Sequence, residues 1–139
     1  MKKLLFLLAA CSVLGACCRA DLQKTGADRD AYGCIASAGY TWSQVAGDCL
    51  RLWEAGVRLQ NVQDPKATSS AFVVIAADGG QTEVFIPQQE PVVMQRSFTP
   101  DGPVWKKGAL RLERMPDGWF LYQGNNLIYQ AGNPPDSSR

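Results

Sequence analysis

From residue 70 onward the chain is a succession of short period-two segments cut by turn residues, and that rhythm constrains the fold more than any other feature. Residues 72–77 are apolar on both faces, which predicts a central strand. Asp78-Gly79-Gly80 supplies a turn, and residues 82–86 form a second strand. Glu90-Pro91 breaks the chain before a third strand over 92–97. Thr99-Pro100-Asp101-Gly102-Pro103 is a dense turn signal. A short fourth strand opens at Val104-Trp105 and stops at Lys106-Lys107-Gly108. Over 109–114, Leu110 and Leu112 fall on one face, with Arg111 and Glu113 on the other. Pro116-Asp117-Gly118 leads into 119–122, and Gly124-Asn125-Asn126 into 127–130. Strand centres recur about every eight to eleven residues with hairpin-length turns between them. The expected class is mainly β: a small antiparallel β-barrel or sandwich of about seven short strands.

Ahead of this meander, residues 32–60 predict a helical cap. Val45, Cys49, Leu50 and Trp53 fall on one helical stripe. Thr41 or Ser43 can cap its start and Gly56 can end it. Gly47 weakens the middle by about 1 kcal/mol relative to Ala. Cys34 and Cys49 are the pair of cysteines inside the expected folded region, so a disulfide is predicted, with two buried free thiols as the alternative. Such a bond closes a loop of about fifteen residues, for roughly 3 kcal/mol of chain entropy. The peptide GCIASAGYTW at 33–42 reads as a disulfide-stapled plug for one end of the β domain, with a ligand site as the alternative.

The chain starts with Lys2-Lys3, an apolar run over 4–13 and Leu14-Gly15-Ala16-Cys17. A short basic region, an apolar core of about ten residues and a small-residue exit make a secretory signal. Leu-Gly-Ala-Cys resembles a bacterial lipobox, which implies cleavage before Cys17 and acylation of that residue. Leu8-Ala9-Ala10-Cys11 has a similar form, but its apolar run of about seven residues lies at the short limit. An ordinary signal cut near Ala16 or Ala20 is the alternative. The expected organisation is therefore a signal peptide at 1–16, a lipid anchor and polar tether at 17–31, one folded domain at 32–132 and a loose tail at 133–139. Within that domain the cap covers 32–60 and the meander 70–131. Cys18 reads as a second acyl acceptor, a free thiol or an intermolecular link. No later segment approaches the roughly eighteen apolar residues of a membrane span, so membrane contact is expected through the lipid. Export also permits the disulfide. The expected location is the bacterial envelope, at the outer membrane.

Composition narrows the chemistry. The chain holds 0 histidines, which removes Ser-His-Asp and Cys-His nucleophile arrangements and the usual zinc sites. No metal, cofactor or catalytic residue is expected. The formal charge is +1 with Lys and Arg scattered, so there is no electrostatic case for nucleic acid. Glu83, Glu90, Asp101 and Glu113 are the acids a carboxylate-based glycosidase would draw on. Acids on alternating strands usually face solvent, however, and a non-enzyme is expected. Trp105, Lys106, Lys107 and Asp101 are the candidate partner-binding residues: Trp is a frequent hot-spot residue, and the lysines could steer an acidic partner. The same residues also read as a core Trp beside a solvated hairpin tip.

Three stretches recur in a familiar order: Phe72-Val73-Val74-Ile75 with Glu83-Val84-Phe85-Ile86-Pro87, then Asp101-Gly102-Pro103-Val104-Trp105-Lys106-Lys107-Gly108, then Gly118-Trp119-Phe120-Leu121-Tyr122. With the chain's size and lipobox, residues 72–130 resemble the bacterial membrane-bound and periplasmic inhibitors of c-type lysozyme. The resemblance implies a small antiparallel β-barrel. It also implies a Ser-bearing loop and a Lys-bearing loop that enter the acidic lysozyme cleft. Here Asp101 stands at the position of that Ser, and the second loop, Met115-Pro116-Asp117-Gly118, has no Lys. Together these readings give an envelope lipoprotein acting as a non-catalytic binding protein, lysozyme-inhibitor-like, with c-type lysozyme as the implied partner. The alternative is a structural or assembly lipoprotein that docks on a larger envelope complex. The sequence assigns no oligomeric state.

Overall fold

A computed structural model describes residues 28–132. The expected signal, Cys17, Cys18, most of the tether and the C-terminal tail lie outside the described residues. A 3-10 turn at Ala36–Ala38 precedes a hairpin of β1 (Thr41–Ser43) and β2 (Asp48–Leu50), then a single-turn helix α1 (Leu52–Ala55). The remaining strands are β3 (Val57–Asn61), β4 (Ala71–Ile75), β5 (Gln81–Phe85), β6 (Val92–Thr99), β7 (Gly102–Lys107), β8 (Leu110–Met115), β9 (Gly118–Gln123) and β10 (Asn126–Gly132). Strands β3 to β10 form a closed eight-stranded barrel in meander order, every pair antiparallel. Closure comes from β10 against β3, with Tyr129 opposite Asn61 and Gln130 opposite Gln60.

Of the two β architectures the sequence left open, the barrel is the one formed, and it has eight strands rather than about seven. The additional strand is β3, which the expected helical cap had absorbed. Its residues alternate: Leu59 is buried and Val57 packs against the core, while Arg58 and Gln60 are exposed. The expected helix through Val45, Cys49 and Leu50 is not formed; that segment is a hairpin. Gly47 is the physical reason. It adopts φ 65, a left-handed conformation that interrupts a right-handed helix, and its N–H donates to Ser43 O at 2.8 Å to close the β1–β2 turn. Of the expected helix, the four residues of α1 remain helical, and Gly56 ends them. The predicted disulfide joins Cys34 to Cys49 with a Cα–Cα distance of 5.5 Å, within the ordinary reach of such a bond.

Inward positions of the barrel fill its interior with Leu59, Val73, Val84, Met94, Trp105, Leu112 and Leu121. Leu112 is fully buried and Leu110 packs against the core, as alternation requires. Arg111 and Glu113 lie outward, with Nε 2.7 Å from Oε1. Outward positions of β4 and β5 are also buried, because the N-terminal hairpin reaches them. Val74 pairs with Glu83 across these strands, and Glu83 is only 1% exposed. Ser43 Oγ–H donates to Glu83 Oε2 at 2.5 Å, and the Val45 N–H donates to the same oxygen at 3.2 Å. The apolar run at 72–77 therefore has buried positions on both faces.

Candidate functional site

Up-and-down connectivity sends the β4–β5, β6–β7 and β8–β9 turns to one end of the barrel. Register then decides which inward side chains meet there. Arg96 on β6 stands opposite Trp105 on β7, and Arg114 on β8 opposite Trp119 on β9. Trp105 and Trp119 stack at 5.8 Å between ring centroids. The Arg96 guanidinium lies 5.1 Å from the Phe98 ring and 6.0 Å from that of Trp105, while Arg114 lies 5.3 Å from Trp119. Cations and aromatic rings thus alternate across this end. The Trp105 indole N–H donates to Gly79 O at 3.0 Å and ties the β4–β5 turn to the same cluster.

A hollow of about 440 Å³ opens beside the cluster, lined by Asp101, Gly102, Pro103, Arg114, Met115, Pro116 and Trp119. Its β6–β7 wall is closed by Thr99 Oγ1–H donating to Gly102 O at 2.8 Å. Gly102 has φ 137, and a Cβ there would come within 3.1 Å of Arg114 O. Glycine lets the two turns approach. Phe98 projects at 88% exposure, the most exposed of the large apolar side chains among the described residues. Among the described residues the ion pairs lie elsewhere, at Arg51–Glu54 and Arg111–Glu113. Guanidinium groups held over rings keep their N–H edges available for a carboxylate.

The four candidate residues do not gather at one place. Asp101 lines the hollow. Trp105 is 3% exposed and belongs to the core, so its ring is covered rather than offered to solvent. Lys106 and Lys107 are exposed and lie toward the β7–β8 turn; Lys106 is roughly 16 Å of strand from Asp101 at 3.3 Å per residue, and it stands opposite Gln95, one rung from Arg96. Lys106 there borders a shallow depression with Gly108, Ala109 and Asn125. The four acids weighed for catalysis are also dispersed. Glu83 is held under the N-terminal hairpin, Glu113 is beside Arg111, Glu90 lies in the β5–β6 loop and Asp101 is at the hollow.

Arg96, Phe98, Arg114 and Trp119 were not picked out by sequence. Their signal was the period-two register: Met94, Arg96 and Phe98 share one face of β6, but the face leaves the core partway along. The peptide at 33–42 also acquires a structural role. Gly39 has φ 82, and a Cβ there would overlap the Trp53 ring. Tyr32 stacks on Trp42 at 4.8 Å, and Arg51 lies 4.7 Å from the Tyr40 ring. No protein-family model matches this chain, and no curated protein or solved structure is significantly similar to it.

Proposed function

We propose that this chain is a lipid-anchored, non-catalytic binding protein of the bacterial envelope, which receives an acidic protein surface at the Arg114 end of its barrel. The lysozyme-inhibitor resemblance pairs two loops, the turn at 99–103 and the turn at 115–118. The single observation that carries the reading is that both turns line one hollow, with Arg114 on its wall. Arg114 supplies the cation that the second turn lacks, and it sits over Trp119, so little side-chain freedom is lost on docking. Arg96 adds a second cation at the same end, beside exposed Phe98. An apolar anchor with flanking charge is the composition of a protein-binding hot spot. On this reading Asp101 is a rim group that discriminates among partners, because it repels a carboxylate placed too close to its turn.

Inhibition of c-type lysozyme by the mature protein tests the proposal. Wild type is expected to inhibit, and Arg114→Glu to weaken inhibition by more than about tenfold, or 1.4 kcal/mol. An Arg114→Glu protein that inhibits as well as wild type, or a wild type without effect on lysozyme, would overturn the lysozyme-inhibitor reading.

A further inference from the structure

We propose that the N-terminal cap rests on the lipid headgroup layer through Tyr32 and Trp53. The inference depends on the reading of Cys17 as the lipid-bearing residue. Tyr32 is 61% exposed and Trp53 59% exposed, and both belong to the segment that precedes the barrel. Tyr and Trp are the side chains suited to a membrane interface, with an apolar ring and a polar edge.

Exposure here is not looseness. Tyr32 is stacked on Trp42 with only 6° between the ring planes. Trp53 lies against Gly39, where no side chain fits beneath it. Two rings held in place and turned to solvent lose little rotamer freedom when they meet a surface. The cap is also fixed to the barrel, by the Glu83 hydrogen bonds from Ser43 and Val45 and internally by the Cys34–Cys49 bond. A cap seated on lipid would therefore orient the whole domain.

Chain length selects lipid as the occupant. The described chain begins at Asp28, and it begins on the cap: Ala36 N–H donates to Asp28 O at 3.0 Å, and Ser37 N–H to Asp28 Oδ2 at 2.6 Å. Eleven residue steps lead from Cys17 to Asp28. Fully extended they span at most roughly 36–40 Å, so an anchored chain holds the cap within that distance of the bilayer. The cap is the part of the domain joined to the anchor.

Its charges argue for ring burial rather than electrostatic attraction. Asp30 Oδ1 accepts from the Tyr32 and Cys34 N–H groups, and Asp48 Oδ1 accepts from the Cys49 N–H. Arg29 donates to Gly33 O and Arg51 to Ala38 O. With no surplus of basic groups, contact is expected on zwitterionic vesicles and to be insensitive to salt.

The test uses the mature lipoprotein, purified from membranes and reconstituted in phosphatidylcholine vesicles with ordinary or brominated acyl chains. Mass spectrometry establishes acylation of Cys17, and flotation establishes vesicle attachment. Brominated chains should quench the tryptophan emission of wild type. They should quench the Tyr32→Gln Trp53→Gln double variant far less, although Trp42 remains there as a reporter and flotation is unchanged. Trp53→Phe keeps an apolar ring without that emitter and should retain quenching at Trp42. An acylated, floating wild type that is not quenched overturns the docking inference alone, and leaves the cap as a surface for something other than lipid. A mature chain without acylation at Cys17 overturns the anchor reading, and the inference with it.

Discussion

Glu83 shows how a single residue joins the two parts of this molecule. It sits on the outward face of β5, where a strand in a small barrel ordinarily meets water, yet it is buried and receives hydrogen bonds from the cap. Removing Ser43 Oγ takes away one of those donors and also the acceptor of the Ala46 N–H at 3.1 Å. Ser43→Ala is expected to lower stability by about 2 kcal/mol, read as a shift in the urea midpoint without a change in slope. Gly39→Ala combines an unfavourable φ of 82 with overlap on the Trp53 ring. It should cost about 1–3 kcal/mol in the same measurement and move the Trp53 side chain. Neither role was legible in the sequence, because both depend on a neighbour distant along the chain. Trp105 poses the same difficulty. Val104 and Trp105 are adjacent and both buried, so alternation alone could not say whether the indole faced the core or a partner.

At the scale of elements, the strands after residue 70 were legible because Gly, Pro, Asp and Asn punctuate each of them and side chains alternate between. β3 was not. Its five residues follow Gly56 directly, and the stripe formed by Val45, Cys49, Leu50 and Trp53 extended a helical reading over the whole segment. Barrel closure was hidden for a different reason, since the Asn61–Tyr129 pairing joins the first and last barrel strands and leaves no local pattern. Gly47 separates the two accounts of the cap by sign. In a helix, Gly47→Ala would add about 1 kcal/mol of stability. In the observed turn, at φ 65, it should remove about 1–2 kcal/mol. Thermal or urea unfolding of that variant reads the sign directly. Opening the Cys34–Cys49 bond by a Cys34→Ser Cys49→Ser change should cost roughly 3 kcal/mol by chain entropy. Hydrogen exchange should accelerate first across the β1–β2 hairpin, with the barrel strands protected longer.

Across the whole molecule, the candidate site was half legible. The resemblance directed attention to the turns at 99–103 and 115–118, which do share a hollow, and the cation on its wall is Arg114 rather than Lys106 or Lys107. Lys106 and Lys107 follow Trp105 in the chain, but Lys106 faces outward on the rung next to Arg96 and Lys107 ends the strand at the β7–β8 turn. Arg96 and Arg114 lie on either side of Asp101 in the chain, and antiparallel pairing returns β6 and β8 to the same end. The proposed function therefore makes a spatial claim: the cluster of rings and guanidinium groups binds an acidic surface, and the outward lysines of β7 do not. Titration calorimetry of the mature protein with c-type lysozyme compares the two directly. Binding should weaken by more than about tenfold, or 1.4 kcal/mol, in Arg96→Glu Arg114→Glu, and stay within about twofold of wild type in Lys106→Glu Lys107→Glu. The reverse pattern, with affinity lost in the lysine variant and kept in the arginine variant, would contradict the account.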